Sequence, residues 1–211
     1  MTDVWSGRAE LYRRSEAHRE GADLDQLVEW AAGARTALDV ATGGGHVARR
    51  LREAGLEVVT SDPSPGMRPD VICRAESLPF AEESFDVVAC RVAAHHFEDV
   101  AAALGEMARV ARESVLVVDN LYLGEREEEA DRVRDPSHVR NYTEDGWRGL
   151  FEASGLRVAE SARFDKPIEV APWLERAGCV GKEAERVREL LAHRIADGWL
   201  TLDRIALKGA K

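Results

Sequence analysis

Short apolar runs alternate with longer amphipathic segments along this chain, the pattern of a parallel sheet joined by crossover helices. Residues 37–41 (Ala-Leu-Asp-Val-Ala) read as a first strand, followed by a glycine turn and a helix over 46–54. Residues 56–61 read as a second strand, 70–73 as a short third and 85–90 as a fourth. A helix over 100–111 leads into a strongly apolar fifth strand at 114–119. The helix expected over 144–154 stops at Gly155, a residue suited to a left-handed helix end. Strand character resumes over 156–164, an amphipathic helix covers 183–195, and a last strand at 199–207 closes the sheet. Helical material at 10–18 and 24–32 precedes the first strand.

One connection breaks the pattern. About eight residues, Pro63, Pro65, Gly66 and Pro69 among them, join the second and third strands, where a parallel crossover normally takes a dozen or more. One crossover helix is therefore expected to shrink to a turn, leaving a doubly wound sheet with one thin corner.

Composition narrows the field. With 211 residues, 45% hydrophobic and 32% charged, the chain suits a single globular domain. Its longest apolar stretches, such as Val115 to Val118, are too short to span a bilayer. Residues 1–5 carry no basic region followed by an apolar run, so no secretory leader and a cytoplasmic location are expected. Cys73, Cys90 and Cys179 are odd in number and lack metal-ligand spacing, so neither a disulfide framework nor a metal site is expected. Cys73 and Cys90 fall in or beside strands, as small hydrophobes do. Acidic residues outnumber basic ones 39 to 29, a formal charge of −10 that repels a phosphate backbone and disfavours nucleic acid as substrate.

The candidate chemistry centres on Leu38-Asp39-Val40-Ala41-Thr42-Gly43-Gly44-Gly45-His46-Val47-Ala48, a strand running through glycines into a helix. Such a turn lets a ligand approach the backbone closely at a helix N-terminus. Residues 43–48 also satisfy the dinucleotide pattern G-x-G-x-x-G/A, which leaves a nicotinamide enzyme open, as it does a tight turn without a ligand. Asp39 separates the cofactors. Facing the crevice at the strand end, its carboxylate repels a diphosphate but favours the α-ammonium of S-adenosylmethionine. Asp62, ending the second strand, can accept hydrogen bonds from both ribose hydroxyls, or cap the Asp-Pro-Ser-Pro turn.

The run 38–45 resembles motif I of class I S-adenosylmethionine-dependent methyltransferases. Ser61-Asp62, Ala75-Glu76-Ser77-Leu78-Pro79-Phe80, Ser84-Phe85-Asp86-Val87-Val88 and Arg91-Val92-Ala93-Ala94-His95-His96-Phe97 are similar, in order and spacing, to the ubiquinone/menaquinone-type (type 11) subgroup. The resemblance covers roughly residues 9–160. It implies an α/β fold: a Rossmann-like, doubly wound, mostly parallel sheet with an antiparallel last strand and a small helical N-terminal lid. It implies that Asp39, Ala41, Gly43 and Gly45 hold the methionine end of the cofactor and that Asp62 and Pro63 take the ribose. Ala75 and Glu76 would border the adenine, with Arg91 and the lid residue His18 (beside Tyr12 and Ser15) completing the cofactor site. Two departures stand out. Arg74 occupies a position often held by an aspartate, and the shortened link after Asp62 opens the adenine edge. The Asp/Asn-Pro-Pro-aromatic motif of nucleic-acid adenine methylation is absent; after the fourth strand the chain reads Arg91-Val92-Ala93-Ala94.

Ligands of such sheets bind beyond the carboxyl ends of the strands. The fourth strand delivers His95 and His96, and the fifth delivers Asp119, Asn120 and Tyr122. After an acidic run at 124–134 comes Asp135-Pro136-Ser137-His138-Val139-Arg140-Asn141-Tyr142, without helix or strand period, which resembles a signature of small bacterial methyltransferases and reads as an acceptor-side cap. Asp119, Asn120, Tyr122, Arg140 and Tyr142 are the candidate acceptor contacts. His96 and His138 are the candidate bases because histidine titrates near neutrality, while His95 reads as a pocket-shaping residue. A base is needed only if the acceptor loses a proton; in-line displacement rests first on orientation, which supplies about 7–11 kcal/mol. His138 and Arg140 pinned by the acids of 127–131 is the competing reading.

The expected protein is thus one methyltransferase domain, with a lid (1–33), a cofactor half (34–119) and an acceptor-side cap (120–211). It would act on a small molecule, without nucleic acid or membrane, as monomer or homodimer. An NAD(P)-dependent oxidoreductase remains the alternative, although no Tyr/Lys pair for hydride chemistry is recognisable, as does a non-catalytic protein that keeps the S-adenosylmethionine pocket.

Overall fold

The computed structural model describes residues 4–211. Met1 to Asp3, on which the reading of a missing leader partly drew, lie outside them. The apolar runs form β1 (Thr36–Val40), β2 (Glu57–Asp62), β3 (Val71–Ile72), β4 (Phe85–Arg91), β5 (Ala111–Asn120), β6 (Arg157–Glu169) and β7 (Trp199–Ala210). They make one seven-stranded sheet in the order β3-β2-β1-β4-β5-β7-β6. The first five strands are parallel. β7 is antiparallel to both its neighbours. The last strand therefore lies inside the sheet, between β5 and β6, rather than at its edge. β6 is the edge, and there it accommodates Pro167, whose missing N–H an interior strand would not tolerate.

The helices are α1 (Val4–Arg14), α2 (Glu16–Arg19), α3 (Ala22–Trp30), α4 (His46–Glu53), α5 (Val100–Val110), α6 (Glu125–Arg134), α7 (Glu144–Ala153), α8 (Val170–Arg176) and α9 (Gly181–Leu190). On one face of the sheet Leu104 and Met107 of α5 and Trp147 and Phe151 of α7 pack on Leu38, Val88 and Val117. On the other, Leu24 and Leu27 of α3 and Leu51 of α4 pack on Ala37, Val87 and Leu116. Strands covered on both sides have no polar face to keep, and this is why β1, β4 and β5 are nearly continuous apolar runs. This is the doubly wound, Rossmann-like arrangement that the pattern implied.

The thin corner is present. Between β2 and β3 stands only the 3₁₀ turn Pro65–Met67. Two elements differ from the reading of the sequence. α1 begins at Val4, ahead of the expected residue 10. α8 was not anticipated, since seven residues with Pro172 among them give little helical period. Proline is nevertheless compatible there, because the N–H groups of a first helical turn have no intrahelical partner to lose. α8 anchors a third core, in which Trp173 and Leu174 pack with Ala130 of α6, Val187 of α9 and Ile168 and Leu200 at the ends of β6 and β7. No helix among the described residues is long and apolar enough to cross a membrane. Cys90 lies in the first core and Cys73 packs against it, both as the small hydrophobes expected.

Candidate functional site

The strand order reverses between β1 and β4, and the chain leaving β1 turns there through three left-handed residues: Ala41 (φ 54°), Gly43 (φ 51°) and Gly45 (φ 75°). Gly45 caps α4, and the Thr42 amide donates to Ser61 O at 3.0 Å, joining this turn to the end of β2. Asp39 lies beneath it, 1% exposed. Its Oδ2 accepts from Thr42 Oγ1 at 2.6 Å and from the Ala48 amide at 3.1 Å. Burial, with the nearby Asp62 charge adding to it, pushes its carboxyl up to about 7 in spite of those bonds. These contacts hold the turn and the start of α4; they are not the open, crevice-facing placement expected from the sequence. Asp62 accepts from the Gly43 amide (Oδ2, 3.0 Å) and the Ser64 amide (Oδ1, 2.9 Å), so it braces the glycine turn and caps its own.

α1 lies across both turns. A Cβ on Gly44 would come within 2.8 Å of the Tyr12 carbonyl, and one on Gly66 within 2.4 Å of Ser6 Cα. The same helix is tied down by His46 Nε2 donating to Tyr12 O (2.9 Å), the Gly66 amide donating to Ser6 Oγ (2.8 Å) and Arg13 donating to Gly66 O (3.0 Å). Ala75, on the expected adenine side, is buried, and Pro63, beside Asp62, is exposed. Glu76 accepts from the Glu98 amide at 3.1 Å and pairs with Arg74 at 3.2 Å, so it organises the approach to α5. Arg74 also reaches Glu98 at 3.1 Å and has become a surface pairing residue.

Past β4 and β5 the histidines converge. His95 Nδ1 donates to Asp119 Oδ1 at 2.5 Å, and the His95 amide to Asp119 Oδ2 at 2.9 Å. Burial opposes charge on His95, but the Asp119 carboxylate outweighs it and raises the ring above its ordinary value. Asp119 is held low despite its own burial, chiefly by His95. Asp119, expected as an acceptor contact, is thus the buried partner of a histidine. His96 donates from Nδ1 to Ser137 O at 3.1 Å, and its ring stands 4.1 Å from that of His95 and 4.7 Å from that of Trp5. Burial and the neighbouring His95 push it down to about 3. His138 spends Nε2 on Glu128 Oε1 at 3.0 Å, both side chains 3% exposed. His96 is thus not poised as a base, whereas His95 and His138 each pair one ring nitrogen with a buried carboxylate and leave the other.

Arg91 donates to Asp23 Oδ2 (2.9 Å) and to His18 O (2.9 Å) inside the protein, and Asp23 also takes Arg204 at 2.9 Å. His18 bonds Ser15 Oγ at 2.8 Å and its ring stacks 6.5 Å from that of His46. Tyr122 donates to Glu125 (2.7 Å), Arg140 lies over the Tyr142 ring (5.5 Å), and Tyr142 packs on Trp147 (5.3 Å), so these three side chains are engaged away from the histidines. Asn120 Oδ1 is buried with no hydrogen-bond partner among the described residues. Asp23, Arg204 and the His95–Asp119 pairing escaped sequence reasoning. The only available signal was that 95 and 119 each follow adjacent parallel strands. Among the described residues no group of three His, Cys, Asp or Glu side chains could hold a metal ion.

The model of the methyltransferase domain family matches residues 38–118, the stretch from β1 to β5. The chain is 32% identical over 213 residues to the uncharacterized methyltransferase YcgJ of Bacillus subtilis, covering 90% of this chain and 83% of that protein. The crystal structure of YcgJ superposes with a TM-score of 0.80 at 28% identity, over 90% of this chain and 97% of that one. A demethylmenaquinone methyltransferase of Renibacterium salmoninarum is 38% identical over 121 residues, 52% of this chain and 47% of that protein.

Proposed function

This chain belongs to the S-adenosylmethionine-dependent methyltransferase family, and from that premise we propose that it methylates a small-molecule acceptor held beneath α1 and the cap formed by α6, α8 and α9. The observation that carries this reading is the left-handed turn at 41–45, flanked by the carboxylates of Asp39 and Asp62 and roofed by α1. The Asp62 carboxylate, with no basic side chain bonded to the turn among the described residues, suits a cationic tail and opposes a diphosphate, which weighs against the nicotinamide alternative. The backbone of Ala41, Gly43 and Gly45 would hold the methionine end, with Asp39 acting through the turn it braces. Asp62 and Pro63 would take the ribose, Ala75 and Glu76 would border the adenine, and His18 and Arg91 would close the site from the lid side. When bound, S-adenosylmethionine supplies an electrophilic methyl group on a sulfonium sulfur. The burial of His95, His138 and Asp62 beneath the roof supports a small acceptor.

His95 replaces His96 and His138 as the base in this reading. With Nδ1 donating to Asp119, its Nε2 is the nitrogen that takes the acceptor's O–H or N–H proton as the new bond to carbon forms, and Asp119 stabilises the imidazolium. Asn120, Tyr122, Arg140 and Tyr142 keep at most an outer role. Isothermal titration with S-adenosylhomocysteine tests the cofactor; no binding, together with NAD binding, would overturn the reading. Once a metabolite panel identifies a turned-over acceptor, His95→Gln should lower kcat by about 10²–10⁴ with the product's affinity unchanged. An equal loss in His96→Gln and none in His95→Gln would return the role to His96.

A further inference from the structure

The acid-rich chain concentrates positive charge at one place, buried at Arg91 and Arg204 and half-buried at Arg134 and Arg176. Arg134, in the last turn of α6, and Arg176, closing α8, reach from the cap toward Tyr12 and His18, where Arg91 and Arg204 also lie. The nearby carboxylates are shared: Asp23 between Arg91 and Arg204, and Asp135 between Arg8, paired at 3.2 Å, and Arg134, whose charge helps to hold it low. Arg134 has no carboxylate within ion-pair distance among the described residues; it lies 4.3 Å over the Trp173 ring and makes only a long bond, 3.4 Å, to Trp173 O. Arg176 forms no ion pair among the described residues either. Its Nε is buried without a partner, and its neighbour is the Tyr12 phenol. Burial, with Arg134 and Arg204 adding to it, weakens its hold on the proton to about 10. At neutral pH it still stays charged, so the cost of a half-buried, unpaired guanidinium persists until an anion meets it. The planar fork of an arginine matches a carboxylate or phosphate in two parallel hydrogen bonds.

We propose that Arg134 and Arg176 receive an anionic group, a carboxylate or phosphate monoester, on the methyl acceptor. This rests on the methyltransferase reading and narrows its substrate class. Arg134 also acts on the charge of His95, the base of that reading, which favours the acceptor's side, while Tyr12 and His18 border the cofactor turn and leave the cofactor's own carboxylate as the competing source.

The test titrates benzoate and phenyl phosphate, against benzamide and phenol, into protein saturated with S-adenosylhomocysteine. The anions should bind at least about tenfold more tightly than the neutral probes. Arg176→Gln and Arg134→Gln should abolish that preference, and Arg176→Lys should keep part of it, with melting curves showing that each variant folds. Equal binding of charged and neutral probes, no binding of any probe, or a preference intact in both glutamine variants overturns the proposal. So does an Arg176→Gln protein that loses affinity for S-adenosylhomocysteine but not for 5′-methylthioadenosine, because the arginine then serves the cofactor's tail. A wild-type protein that does not bind S-adenosylhomocysteine strikes the methyltransferase reading instead, and the same probes titrated into the free protein then decide the arginine site separately.

Discussion

Asp62 occupies a position where a turn and a ligand ask for the same chemistry. Both its oxygens accept backbone amides at the rim of the crevice, from Gly43 and Ser64, and a ribose there would bond to the same carboxylate. Asp62→Ala should therefore weaken S-adenosylhomocysteine by about 1.5–3 kcal/mol, the range for hydrogen bonds to a charged group. Calorimetry showing unchanged affinity would put the ribose elsewhere. Asp39 makes a prediction of its own in pH. Burial raises its folded-state pKa to about 7, above the ordinary aspartate value of 3.8. Between the two the unfolded chain is ionised while the folded chain keeps the proton, so the unfolded state binds fewer protons and stability falls as pH rises through that window. Melts of wild type and Asp39→Asn across this range should show the decline in the wild type and a shallower one in the variant; parallel curves would mean that Asp39 is ionised throughout. At this scale the reading of the sequence was right about which carboxylates flank the turn and could not see which way Asp39 points. Orientation depends on Thr42 and Ala48 reaching its oxygens, and only the folded turn brings them there.

The elements divide by how periodic they are. α5 and α7 were legible because each packs a regular apolar stripe onto the sheet. α8 was not, being seven residues long with an internal proline, yet it anchors the core that carries Arg176. Leu174→Ala, at a fully buried site in α8, should cost about 2–5 kcal/mol in urea denaturation. A loss below about 0.5 kcal/mol, typical of surface substitutions, would mean that the cap contributes little to folding. α1 adds a second test. Gly44→Ala drives a methyl group into the Tyr12 carbonyl, so the helix must lift from the turn, a strain of about 1–3 kcal/mol. Faster amide exchange in α1, with the sheet unchanged, is the expected signature.

Taken whole, the molecule gathers its chemistry where three cores meet at the carboxyl ends of β1, β4 and β5. A ligand that binds only this assembled state stabilises it by mass action, about 2.7 kcal/mol at a hundredfold excess over Kd. S-adenosylhomocysteine should raise the melting temperature in proportion to the logarithm of its concentration, and a flat response would show that it does not prefer the folded chain. What the sequence determined alone is whatever depends on neighbours along the chain: strands from apolar runs, the lost crossover from its prolines, and the glycine turn with an acid at each strand end. What only the tertiary structure decided is every partnership between distant residues. His95 meets Asp119 because β4 and β5 are adjacent and in register, Asp23 of α3 gathers Arg91 from the end of β4 and Arg204 from the middle of β7, and Arg134 and Arg176 converge because α6 and α8 share a core. Such pairs leave no local pattern, since strand order and register set the distance between them and spacing along the chain does not.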